Sequence, residues 1–340
     1  MDGLLQSGSG QHNWSITPGP DVSNTSGTSH LADELNRLSG MCRQMDHLPQ
    51  GASLLARVRE LTRDLNNEID AKNPKCARLN VASFGRFQLE RDGERLAPCP
   101  TRRSIAILRY LLTRNDHAAH KSELAEVIWP LDSIKDCAHS LHVAVSNLRR
   151  YLDLTSTSCL LFSAGTYFLN PAVKVTDDTI LFQETARHAD ECWKQGDFDS
   201  AESAYLAATD GYTGDYCLED LDFAWAAAER DRHLERYLSA LYRLGDVRLR
   251  QRRYEAAIEP LVLISQRDCY REDVHYQLML CYSRIGRRSR AIQQFENCSD
   301  LLTNGLSIAP AEKLRRLYEL ILDSDERSIA DFDISLSEYR

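Results

Sequence analysis

The sequence predicts a mainly α protein in two parts, an α+β module of strands and three helices followed by an all-α module of repeated helix pairs. Three observations predict it. Helical spacing of apolar residues runs through 101–115, 120–130, 139–152 and nearly everything after Val175. Alternating runs, the signal of strands, flank the first three helices: "LNVASFG" and "RFQLERDG" before them, "CLLFSAGTYFLN" after. In the C-terminal half, segments align with one another at an offset of 34 residues, the mark of stacked helix pairs.

The totals bound the classes open to such a chain. Its 340 residues, 43% hydrophobic and 27% charged, suit two soluble modules with a tail. No apolar run approaches the roughly 18 residues that span a bilayer, and "MDGLLQSGSGQHNWS" lacks the basic start and apolar block of a secretory signal. The ten cysteines are scattered singly with no C-x-x-C pair, which reads as reduced, mostly buried thiols in a cytoplasmic protein with no membrane partner. A net charge of −9 argues against indiscriminate coating of nucleic acid. The charge is uneven, however. Residues 76–170 carry 12 basic against 9 acidic groups, whereas 1–75 carry 7 against 9 and 171–340 carry 22 against 32. That middle segment is the part suited to an anionic partner.

Residues 1–30, rich in Ser, Gly, Asn, Thr and Pro, read as a disordered arm. Residues 31–75 read as a helical extension broken near "LPQG". Its second piece places Leu54, Val58, Leu61, Leu65 and Ile69 on one stripe, which either pairs with a second copy as a short coiled coil or docks on the chain's own body.

The α+β module spans 76–170. Its first strands meet at Asp92-Gly93, a tight-turn dipeptide. "TRRSIAILRYLLTRN" turns Ile105, Leu108, Leu111 and Leu112 inward behind a Thr101 cap, and "HKSELAEVIWP" starts at a Ser122 cap and stops at Pro130. After the connector "LDSIKD" comes "HSLHVAVSNLRRYL", with Leu141, Val145, Leu148 and Leu152 on one stripe. His139, Val143, Ser146, Asn147 and Arg150 lie opposite. A hairpin then turns around Ser163–Thr166. A short helix, a connector and a helix with one polar face make a helix-turn-helix, and the hairpin makes a wing.

"KSELAEVIWP", "LHVAVSNLRRYL" and "GTYFLN" together resemble the winged-helix domain of OmpR/PhoB-type regulators, with Thr166 inserted between the usual Gly and Tyr. The resemblance implies double-stranded DNA as partner and puts Val143, Asn147 and Arg150 at the groove-facing sites. The chemistry of the side chains agrees. Arg150 can reach guanine or phosphate, Asn147 can pair with adenine, Val143 can pack on a thymine methyl, and Ser146 and His139 can serve bases or phosphates. Arg149, at the flank of the stripe, and Arg102, Arg103 and Lys121 are candidate phosphate contacts. Thr166 is a candidate wing contact, and Tyr167 reads as packing.

From 175 to 323 the helical module repeats. "RRYEAAIEPL" and "RRSRAIQQFE" place Ala257 over Ala291 and Ile258 over Ile292, and the helices before them place Tyr242 over Tyr276 and Leu244 over Leu278. This is the tetratricopeptide period, with an earlier relative in "GDFDSAESAYLAA" and a tail at 324–340. "YTGDYCLEDLDFAWAAAER", "YREDVHYQLMLCYSRIGRRSRAIQQFE" and "LTNGLSIAPAEKLRRLYELIL" resemble the bacterial transcriptional activator domain that follows the winged helix in antibiotic-regulatory-protein (SARP)-type regulators. Such regulators implied by resemblance activate transcription from tandem sites, through dimer or RNA-polymerase contacts, and act as homodimers on DNA. One departure is that some 75 unmatched residues precede the winged helix.

Motifs for phosphate loops, dinucleotides, zinc proteases, serine hydrolases and kinases are missing from the sequence, so no enzyme, cofactor or metal is expected. His139 and His142 stand three apart without two further ligands at fitting spacing. Cys137 and Cys159 flank the third helix, as buried thiols or a redox pair. The basic run "RLRQRRYE" reads as a solvated face, with DNA or an acidic protein as the alternative. The expected function is therefore a sequence-specific transcription regulator. The competing reading is a helical-repeat adaptor whose winged helix does not bind DNA.

Overall fold

The computed structural model describes residues 77–130, 134–153 and 158–323. The expected arm, the helical extension with its apolar stripe, and the C-terminal tail lie outside the described residues.

β1 (Arg78–Ala82), β2 (Gln88–Arg91) and β3 (Glu94–Arg95) form an antiparallel meander. Asp92 and Gly93 turn the second hairpin at φ 50° and 86°, the pair of left-handed positions a two-residue turn needs. The Asp92 carboxylate accepts the Arg78 N–H at 2.8 Å. Next come α1 (Arg102–Thr113), β4 (Ala118–His120), α2 (Lys121–Ile128) and α3 (Ile134–Leu152). The hairpin β5 (Leu160–Ser163) and β6 (Thr166–Leu169) turns at Ala164–Gly165, as expected. β7 (Lys174–Asp177) then returns to lie parallel to β1. The sheets read β3-β2-β1-β7 and β4-β6-β5.

The three helices close on one core. Leu108 and Leu111 of α1, Leu124 and Ile128 of α2, and Leu148 and Leu152 of α3 are buried together with Leu160 and Leu169 of the wing. Burial of each such side chain contributes about 1.5–3 kcal/mol. Ser104 of α1 donates to the Ala144 carbonyl of α3 at 2.8 Å, which fixes the crossing of the two helices.

Four local expectations are corrected. The wing has a third strand, β4, because His120 finds Thr166 on the free edge of β6. Residues 174–177 are strand rather than helix, since they complete the first sheet. The third helix begins at Ile134, inside the supposed connector. The α2 cap is His120 rather than Ser122: its ring accepts the Ser122 N–H at 3.3 Å.

The helical module runs α4 (Asp178–Gln195), α5 (Phe198–Gly211), α6 (Ala224–Arg250), α7 (Tyr254–Arg267), α8 (Glu272–Arg284), α9 (Arg288–Asp300), a π-helical turn at Leu301–Leu306, and α10 (Glu312–Asp323). Successive helices pack as tetratricopeptide-like pairs. Ala201, Ala257 and Ala291 are fully buried at the helix contacts, as the small-residue pattern requires. A Cβ added at Gly245 would lie 3.1 Å from Leu261 Cδ2, so glycine sets how closely α6 approaches α7. In the basic run at 248–255 Arg248 is buried, whereas Arg250, Arg252, Arg253 and Glu255 are exposed, as a solvated face requires. Arg248 and Arg253 both pair with Glu202, Arg250 pairs with Asp246 at 2.9 Å, and Gln251 reaches Asp199. The contacts with Glu202 and Asp199 of α5 tie the first helix pair to the second, whereas Arg250–Asp246 lies within α6.

The segment 212–223 straps the α+β module to the helices. Tyr216 bridges Phe84, the Cys217 N–H donates to Ser83 at 3.0 Å, and the Gly85 N–H donates to Asp215 at 3.1 Å. Arg109, buried on α1, reaches Asp220 at 2.5 Å and lies 4.1 Å over the Phe87 ring.

Candidate nucleic-acid interface

α3 sorts its side chains into two faces. Cys137, Leu141, Ala144, Val145, Leu148 and Leu152 are buried. His139, His142, Val143, Ser146 and Arg150 are exposed, and Asn147 is half-buried. Val143 is 45% exposed, a cost in water for a β-branched residue that also has below-average helix propensity. Among the described residues Arg150 has no ion-pair or hydrogen-bond partner, so its guanidinium is available.

The wing is anchored to both helices of the helix-turn-helix. Arg149 donates through Nε to the Leu160 carbonyl at 3.0 Å. The Lys121 N–H donates to the Gly165 carbonyl at 2.9 Å. Gly165 has φ 83°, and a Cβ there would meet His120 Nε2 at 2.7 Å. Both conditions demand glycine at the wing tip. The Arg91 guanidinium donates to the Leu152 carbonyl, closing the C-terminus of α3, where a cation also complements the helix dipole.

The remaining site residues are placed differently from one another. The Lys121 side chain is exposed at the start of α2. Arg103 is exposed and lies 5.1 Å over the Trp129 ring. Arg102 is drawn to the helical module: it donates to Asp222 at 2.8 Å and to the Glu219 carbonyl at 2.9 Å. Thr166 is half-buried beside His120, and Tyr167 is buried, with its hydroxyl pKa raised by burial. Structure thus brings His139, Val143, Ser146, Asn147 and Arg150 together on one face, with Arg149 at its edge. Arg102 does not join them.

Sequence reading missed two features. Phe162, on the wing, is 46% exposed with its ring 4.5 Å from that of Tyr167; an aromatic on the polar side of an alternating strand was the available signal. Arg109 is buried inside the apolar run "SIAILRYLL", and a charge there requires a partner.

Cys137 and Cys159 are not poised as a redox pair. Burial pushes the Cys159 thiol up to about 11, far from the thiolate a redox nucleophile needs, and Cys137 and Cys159 are free thiols. Among the described residues no group of three His, Cys, Asp or Glu is placed to hold a metal, and no helix is long and apolar enough to cross a membrane.

Comparison with known proteins bears on the helical module most directly. The family described as bacterial transcriptional activator domain matches residues 178–322, starting at the first residue of α4. The matched region begins where β7, the last strand of the first sheet, ends. Regulatory protein AfsR of Streptomyces coelicolor is 26% identical over 269 residues, which is 79% of this chain but 26% of AfsR. Regulatory protein DnrI of Streptomyces peucetius is 26% identical over 148 residues, 44% of this chain and 54% of DnrI. The chain thus spans about a quarter to a half of these curated relatives. The solved structure of Mycobacterium tuberculosis EmbR, in complex with a low-affinity phosphopeptide, superposes with a TM-score of 0.64 at 22% identity, covering 76% of this chain and 68% of EmbR. That likeness shows a shared fold. The order, an α+β module with a helix-turn-helix and wing leading into the matched helical region, is that expected from the resemblance to antibiotic-regulatory-protein-type regulators.

Proposed function

We propose that the protein is a sequence-specific DNA-binding transcription regulator in which α3 enters the major groove and the β5–β6 hairpin lies against the adjacent backbone. The observation that carries this reading is the outward face of α3, where Arg150, Asn147, Ser146, His139 and an exposed Val143 stand opposite a fully buried stripe. Arg150 and Asn147 supply base-edge hydrogen bonds, and Val143 supplies a methyl contact. Lys121, Arg103 and the remaining donors of Arg149 serve phosphates. In this reading the activator domain contacts RNA polymerase or a second copy on DNA, and the protein acts as an activator, as its resemblance to regulators of this type implies.

Selection of genomic fragments by the purified protein, followed by affinity measurement across salt, tests the proposal. A fragment class that is retained with a steep negative dependence on salt supports it. Retention of no fragment class over bulk DNA favours the adaptor reading instead. The same titration, read for mass of the bound species, tests whether two copies occupy one site.

A further inference from the structure

The wing carries an aromatic ring that the packing of the module leaves half uncovered. Phe162 and Tyr167 stand opposite each other in the β5–β6 ladder, and paired residues project from the same face of a sheet. The next pair on that face, Leu160 and Leu169, is buried in one core with Leu148 and Leu152 of α3. The face is therefore the one turned toward α3. Tyr167 is buried on it, whereas Phe162 is 46% exposed with its ring 4.5 Å from that of Tyr167. The part of α3 that borders this ring belongs to the outward side of the helix. Arg149 donates through Nε to the Leu160 carbonyl at 3.0 Å and lies close enough to Tyr167 to act on its hydroxyl. At about 100° per residue, His142 and Ser146 share the flank of Arg149, and both are exposed. Phe162 thus continues the outward face of α3 onto the wing.

The wing brings no charge to that border. From Leu154 to Val173 the sequence holds no Asp, Glu, Lys, Arg or His. The phosphate contacts proposed above come from Arg103, Lys121 and Arg149, all outside the hairpin. A hairpin without cations releases no counterions from a duplex. What it can offer DNA is hydroxyls, backbone N–H groups and apolar surface. Among the described residues of the hairpin, Phe162 is the one exposed large apolar side chain. Its ring rests on Tyr167, one residue short of the turn that begins at Ser163. That seat suits lying flat along a strand better than wedging between base pairs.

We infer that Phe162 is the wing's contact with DNA, its ring packed on the deoxyribose carbons of the strand that runs beside Arg149. This contact rests on the function proposed above and divides its labour. α2 and α3 supply the charge, while the hairpin adds affinity by taking apolar surface out of water. The share of affinity that comes from the wing is then independent of salt, unlike the share that comes from the cations.

Affinity of the full-length protein for one retained genomic fragment, measured over a series of salt concentrations, tests the contact. Phe162→Ala is expected to weaken binding by about tenfold at every salt concentration, with the salt slope unchanged. Lys121→Ala is expected to reduce the slope by about one. Phe162→Tyr, which keeps the ring, is expected to retain wild-type affinity. Equal affinity of Phe162→Ala and the wild type overturns the inference and leaves the exposed ring to a protein partner. A slope that falls together with affinity also overturns it, because Phe162 would then serve only to hold the wing against Arg149 and Lys121. A wild type that prefers no fragment overturns the proposed function itself, and that result stands apart from the other two because it needs no substitution.

Discussion

Arg109 of α1 and Asp220 of the strap segment form an ion pair at 2.5 Å in which the two side chains are 5% and 0% exposed. It is the point at which the α+β module and the activator domain share a buried charge. Such a pair costs desolvation on both sides, and removing one partner leaves the other uncompensated.

Asp220→Ala is therefore expected to destabilise the protein by about 3–5 kcal/mol, whereas Arg109→Met combined with Asp220→Leu recovers much of the loss. Urea denaturation of the two variants checks this. An Asp220→Ala variant as stable as the wild type would remove the pair from any role in joining the modules.

Gly165→Ala tests the wing. The substitution forces a side chain into φ 83° and against His120 Nε2, so it disturbs the turn and the α2 cap together. A loss of about 1–2 kcal/mol in thermal unfolding is expected, with weaker DNA binding than stability alone explains. Equal stability and equal binding would show that the tip is not strapped to α2.

Gly245→Val tests the helix stack. Its branched side chain would press on Leu261, already 3.1 Å from a bare Cβ. A cost of about 1–3 kcal/mol is expected, relieved in part by Leu261→Ala in the same chain. Additive losses in the double variant would argue that the two residues do not share the contact.

His233 gives a pH dependence. Burial, reinforced by Arg232 and Arg236, lowers its pKa from 6.5 to about 4. Between those values the unfolded chain binds a proton that the folded chain refuses, so this group makes stability fall as pH drops from 6.5 toward 4. The contribution amounts to about 3 kcal/mol at the acid end. His233→Gln is expected to flatten that part of the wild-type profile, read as the difference between the two stability curves. Parallel curves over this window would contradict it.

What was legible in the sequence was what is local. The stripe and polar face of α3 follow from spacing within one helix, and every residue of the stripe is buried as read. The small residues at 201, 257 and 291 likewise mark helix contacts that recur along the chain. β4 and β7 were not legible, because three or four residues acquire strand structure only from partners far away, Thr166 for His120 and Val81 for Asp177. The same holds for Arg102. Its position at the start of α1 suggests phosphate contact, yet Asp222 lies 120 residues on and claims it.

The central claim is that the outward face of α3 reads DNA, and Arg150→Ala tests it most directly. Affinity of the wild type and the variant should be measured for one retained fragment and for a scrambled fragment of equal length, at a single salt concentration. The account predicts that the variant loses about 1–3 kcal/mol on the retained fragment and less on the scrambled one, so that preference falls with affinity. Unchanged affinity and unchanged preference in a folded Arg150→Ala protein would contradict it.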